Sequence, residues 1–157
     1  MTGVALHGAT IVESIKPNHV EYYVQYRQCG HYDEETGLCD SYYWTSPSPL
    51  PPRDAKITGT VKASSSNMKL NGAGIAKVGD KTIETWVVYP PIPANTNDTI
   101  YTTRGATSGS GEGQIITGSS KGKLDGQPIA LIGSQVRTML GTETTISNGN
   151  SKLSFNS

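Results

Sequence analysis

The sequence predicts an all-β protein. It reads as a small, pointed β domain of short hairpin repeats with pseudo-three-fold symmetry, preceded by an N-terminal β-hairpin element. Three observations carry this. The chain of 157 residues holds 18 Gly and nine Pro, residues that are costly inside helices and favoured in tight turns. Its Val, Ile and Tyr recur in strand-like alternation. Finally, a short phrase bearing Asn-Gly or Asp-Gly, the preferred pairs of two-residue hairpin turns, occurs twice.

Taken in order, residues 1–16 carry an extended pattern ended by Pro17, and "HVEYYVQYRQC" (19–29) reads as a strand. A polar turn around Asp33–Gly37 follows, and "DSYYWT" returns as the second strand of a hairpin. The Pro-rich stretch 46–53, "SPSPLPPR", must be extended because Pro fixes its own backbone and restricts the residue before it. It reads as the boundary between an N-terminal element (1–55) and a repeat region (56–157), or as an ordinary surface loop. Residues 89–113 form an irregular insertion that closes on "GATSGSGEG", a tract of linker composition.

Setting residues 65–79 beside 119–133 pairs Ser65 and Ser66 with Ser119 and Ser120, and Lys69 with Lys123. Leu70 then matches Leu124, Asn71 Asp125, Gly72 Gly126, Ile75 Ile129, Ala76 Ala130 and Gly79 Gly133. A clipped third copy, "GNSKLSFNS" (149–157), places Phe155 at the Leu124 position and stops where the turn glycine would stand. The copies lie near 64–80, 118–134 and 149–157. Each full copy is a miniature hairpin that cannot bury its apolar face alone, so the copies must pack on each other. Leu70, Ile75, Leu124 and Ile129 are the expected shared core.

These residues resemble the repeat of PAAR-type spike-tip proteins. "GSSKGKLDGQPIALIG" (118–133) is similar to it, with Pro128 and Ala130 at two places of the naming tetrapeptide, and "SSSNMKLNGAGIAKVGD" (64–80) keeps Gly79-Asp80. Ser134 stands where the family has aspartate, and Gly74-Ile75-Ala76-Lys77 keeps only the alanine of the tetrapeptide. The resemblance implies a monomeric, pointed tip that caps the trimeric β-helical spike of a contractile injection system, such as a phage tail, tailocin or type VI secretion machine. It implies a VgrG-like or phage hub spike as partner, a possible cargo effector, contact with a target-cell envelope, and a metal ion held by His and Cys near the apex. His7, His19 and His31 all precede the repeats, so that metal site does not transfer position by position.

The cluster "CGHYDEETGLC" gathers Cys29, His31 and Cys39. On a hairpin turning near Glu34–Glu35 the two cysteines fall opposite one another, with His31 on the face of Cys29. Thiolate and imidazole at this range suit a structural zinc ion with His19 or His7 as fourth ligand. Two other readings stay open: reduced structural cysteines beside a surface histidine, or a cross-strand disulfide.

The sequence also excludes several functions. Thirteen basic and thirteen acidic residues cancel, so there is no electrostatic case for nucleic acid. The glycines of "GATSGSGEGQIITG" lack the Gly-Lys-Ser/Thr ending of a phosphate-binding loop. Asp33, Glu34 and Glu35 read as a solvated turn rather than paired catalytic acids, and no nucleophile elbow or zinc-protease motif occurs. No enzyme activity is expected. "MTGVALHGATIVESIKP" lacks the features of a signal peptide, so synthesis in the cytoplasm with reduced cysteines is expected, followed by assembly on a spike and delivery outside the cell. The alternative function is a glycan- or receptor-binding module using Tyr22, Tyr23, Tyr26, Tyr32, Tyr42, Tyr43 and Trp44, although half-buried strand residues are the plainer reading of these rings.

Overall fold

The computed structural model describes residues 1–64 and 67–156. Ser65, Ser66 and Ser157, which the repeat alignment includes, lie outside the described residues. Among those described, every regular element is a strand. In chain order they are β1 (Thr2–Val4), β2 (Ser14–Tyr32), β3 (Cys39–Trp44), β4 (Ser48–Pro49), β5 (Arg53–Lys62), β6 (Lys69–Leu70), β7 (Ala73–Gly74) and β8 (Lys81–Tyr89). They continue with β9 (Thr99–Arg104), β10 (Ser108–Ile115), β11 (Lys123–Leu124), β12 (Gln127–Pro128), β13 (Gln135–Arg137), β14 (Glu143–Thr145) and β15 (Asn150–Phe155). The all-β reading is what the molecule shows.

The chain divides into two compact units, neither of which is a continuous segment. The first comprises residues 1–16, 56–87 and 108–157, and the second residues 17–55 and 88–107. Residues 1–16, grouped above with the N-terminal element, therefore pack in the unit that holds the repeats. Part of the insertion packs with the Tyr-rich hairpin.

In the first unit, β6 pairs with β7 and β11 with β12. The third hairpin is made by β1 and β15. Their register shows the equivalence. Leu70 faces Ala73, Leu124 faces Gln127, and Phe155 faces Thr2. Residues 150–155 are thus one half of the third copy, and its second half is "TGVALHGA" near the start of the sequence. The motif Val/Ile-Ala-x-x-Gly then occurs three times, at Val4-Ala5 with Gly8, Ile75-Ala76 with Gly79, and Ile129-Ala130 with Gly133.

The tract "SGSGEG", read above as linker, is instead the body of β10, paired with β8 from Ser108 opposite Val87 to Gln114 opposite Lys81. Its glycines are explained by what lies over them. A Cβ on Gly109 would come within 2.5 Å of the Trp86 indole nitrogen, and one on Gly111 within 2.8 Å of the Met139 methyl. A Cβ on Gly113 would meet the Glu84 carboxylate. The glycines leave room for large side chains from neighbouring strands. Glu84 is fully buried. Its carboxylate accepts from the Thr82 hydroxyl and from the Met139 backbone N–H at 2.7 Å, while Thr82 Oγ1 accepts from Gly113 N–H. The buried polar atoms are thereby satisfied, as burial requires.

In the second unit, β2 is the spine. Residues Glu21–Tyr26 pair with β9, Tyr23 and Val24 with β4, and Arg27–Tyr32 with β3. Alternation along β2 buries Val20, Tyr22 and Val24 on one face.

Candidate functional site

Three alanines define the centre of the first unit. Ala5 N–H donates to the Ala130 carbonyl, Ala130 N–H to that of Ala76, and Ala76 N–H to that of Ala5, each at 2.9 Å. The ring is closed, and all three residues have no exposed surface. Around it the contacts repeat in threes. Val4 bridges Leu131, Ile75 bridges Leu6, and Ile129 bridges Lys77. The amides of Gly8, Gly79 and Gly133 donate to Val61, Ile115 and Ile146 at 2.8, 2.9 and 2.8 Å. Those glycines share one conformation, with φ of 88°, 96° and 90°, a region that a side chain rarely enters. The first unit is therefore internally pseudo-three-fold. Alanine occupies the ring because three backbones approach one axis, where only a small side chain fits.

The predicted turn and core residues sit around this axis. Asn71 and Gly72 have φ of 53° and 82°, and Asp125 and Gly126 have 52° and 81°, the two successive positive values that a tight hairpin turn of this kind demands. Ile75, Ile129 and Leu124 are buried in one cluster with Val4 and Leu131, against which Leu70, Leu6, Leu153 and Phe155 pack. Ser134 does in one copy what Asp80 does in the other. Its hydroxyl accepts from Leu131 N–H at 2.8 Å, just as the Asp80 carboxylate accepts from Lys77 N–H at 3.1 Å. Asp80 is buried and also meets the Lys77 ammonium at 3.2 Å.

The residues chosen as metal ligands are placed otherwise than a regular hairpin predicts. Cys29 and Cys39 are joined as a disulfide, with a Cα–Cα distance of 5.8 Å, so neither reduced thiols nor thiolate ligands describe this state. Bulges interrupt the hairpin. Cys29 pairs with Tyr42, His31 with Ser41 and Tyr32 with Cys39, leaving Gly30 and Asp40 as extra residues. Such insertions break the strict alternation of faces, on which the placing of His31 beside Cys29 rested. His31 Nδ1 lies 2.7 Å from the Asp40 carboxylate, and both groups are exposed. His19 stands ten residues before Cys29 on the same strand, which is about 33 Å at strand spacing. His7 belongs to the first unit, where its Nδ1 accepts from Ala63 N–H at 3.1 Å. Among the described residues no group of three or more His, Cys, Asp or Glu side chains is placed to hold a metal ion.

The turn beyond the disulfide is organised by Asp33. Its carboxylate accepts from Glu35 N–H at 2.8 Å and Thr36 N–H at 2.9 Å. The Thr36 and then the Glu35 amide hold its carboxyl below the ordinary aspartate range. Asp33 is thus a turn-former.

The aromatic residues of the Tyr-rich hairpin lie on β2 and β3 and differ in exposure. Tyr22 is buried and Tyr23 half-buried, but Tyr26, Tyr32, Tyr42, Tyr43 and Trp44 are exposed. The Arg27 guanidinium lies 3.8 Å above the Tyr42 ring. β2 outlasts its neighbours: among the described residues it pairs past Arg27 only with β3, and a two-stranded ribbon has no layer to cover its rings.

No family model, curated protein or solved structure matches this chain.

Proposed function

We propose that this protein is a structural, non-enzymatic tip that caps a trimeric β-helical spike, sharpening it for passage through a cell envelope. The observation that carries the reading is the closed hydrogen-bond ring of Ala5, Ala76 and Ala130 with its three sets of matched contacts. A single chain built this way repeats one set of backbone positions three times about an axis. It is therefore matched in symmetry to a homotrimer. The resemblance of the repeats to PAAR-type tips supports the same partner. The disulfide between Cys29 and Cys39 suits a protein that works outside a reducing compartment.

The test is stoichiometry. On mixing with a candidate trimeric spike, native mass spectrometry should give one copy of this chain per three spike chains. A three-to-three complex, in which each spike chain carries its own copy, would show that the internal symmetry is not what the partner reads. Absence of any complex across candidate spikes would remove the proposal.

A further inference from the structure

The second unit carries a strip of surface that the spike reading does not use. Residues paired across antiparallel strands share a face, and alternate residues of one strand share a face. Glu21 pairs with Arg104, Tyr23 with both Thr102 and Pro49, Arg27 with Trp44, and Cys29 with Tyr42. All these residues therefore lie on the one face of β2 opposite to buried Tyr22 and Val24. From Glu21 to Cys29 the strip runs eight residues, about 26 Å along the strand. A groove of about 320 Å³ at its near end is lined by Glu21, Tyr23, Pro49, Leu50, Pro52 and Arg104, and also by Tyr22 of the other face. At its far end Trp44 and Tyr42 are 39% and 54% exposed.

The chemistry of the strip selects its occupant. Rings recur along it with Gln25, Thr102 and the half-buried Ile100 between them, so polar groups interrupt it and it is not the continuous apolar patch that a helix or a lipid surface needs. Its charges nearly cancel. Glu21 pairs with Arg104 at 3.3 Å, which leaves Arg27, already stacked on Tyr42, and no basic stripe for an anionic polymer. Spaced flat rings, with amide, hydroxyl and guanidinium groups between them, fit a polymer of flat-faced, hydroxyl-rich, uncharged units. The geometry points to a binding site for a linear neutral polysaccharide along the Glu21–Cys29 face, with one sugar seated in the Tyr23 groove and another on Trp44. This stands independently of spike capping.

The opposite face of the same ribbon supplies the control. Tyr43 pairs with Gln28 and donates its hydroxyl to the Gln28 side chain at 2.8 Å. It is as exposed as Tyr42 but points away from the strip. The intact chain is run in native gels containing laminarin, dextran, galactomannan, xylan or heparin. Retardation is expected in at least one of the four neutral gels. Tyr23→Ala and Trp44→Ala should each weaken it about threefold to tenfold, from the loss of one ring contact. The double variant should abolish it, and Tyr43→Ala should leave it unchanged. Migration unchanged in all four neutral gels overturns the proposal. So does retardation by heparin alone, or a loss caused equally by Tyr43→Ala. Each variant is checked for a native amide spectrum and a cooperative thermal transition; Trp44→Ala and Tyr43→Ala, at exposed positions, should keep the parent Tm.

Discussion

Phe155 lies opposite Thr2 in the register that Leu124 holds opposite Gln127, so residues far apart in sequence build a hairpin equivalent to two that are local. The two turns that close the local hairpins, Asn71-Gly72 and Asp125-Gly126, have no covalent counterpart in the third. A chain joined as Phe155-Asn156-Gly-Thr2 and opened between Asp125 and Gly126 should therefore fold. One turn is gained and an equivalent one lost, so stability should stay within about 2 kcal/mol of the parent. Thermal unfolding and a two-dimensional amide spectrum check this. A permuted chain that aggregates or lacks dispersed amide signals would refute the equivalence.

The alanine ring couples the three copies. Ala76→Leu puts extra methylenes on a closed axis, and overpacking of this kind costs about 1–3 kcal/mol. Hydrogen exchange is the more informative readout. The amides of Ala5, Ala76 and Ala130 should exchange among the slowest, and in the variant all three should quicken together. Loss of protection at Ala76 alone would mean that the ring is not one cooperative unit.

Gly126 meets no atom within 4 Å of a built Cβ, so only its φ of 81° opposes a side chain. Gly126→Val should lower stability by about 1–2 kcal/mol or more, the cost of a left-handed L-residue, and Tm by roughly 2–8 °C. Gly111→Val tests a different cause, because there the obstacle is the Met139 side chain. Combining Gly111→Val with Met139→Ala should recover part of the loss. The same Met139 change should do nothing for Gly126→Val.

The Asp33 turn has a pH dependence of definite sign. Its carboxyl is held below the ordinary range by the Thr36 and Glu35 amides. Its contribution is therefore complete above the unfolded value of about 3.9 and is lost as pH falls through the lower folded value. The Glu35 and Thr36 amide shifts should titrate together with a midpoint below about 3.9. Asp33→Asn should remove that titration. A midpoint at or above the ordinary value would contradict the hydrogen-bonded turn.

Much of the first unit was legible because its signals are local. Asn71-Gly72 and Asp125-Gly126 announce turns through the only residues that tolerate their φ values, and Leu70, Ile75, Leu124 and Ile129 mark a buried face by spacing alone. The second unit was less legible. The bulges at Gly30 and Asp40 carry no signal that distinguishes them from regular strand, yet they reset which side chains share a face, the alternation on which placing His31 beside Cys29 rested. Exposure of Tyr42, Tyr43 and Trp44 depends on how far β2 outruns its partners, which no window of sequence contains.

By itself, the sequence determined the β class and the two closed hairpin turns, since each rests on short-range sterics or on side-chain alternation. Only the tertiary structure decided that Val4-Ala5 is the third partner of Ile75-Ala76 and Ile129-Ala130, and that "SGSGEG" is a strand rather than a linker. Both depend on groups brought together from distant positions: Phe155 beside Thr2, and Trp86, Met139 and Glu84 over glycines that would otherwise have had no reason to be ordered.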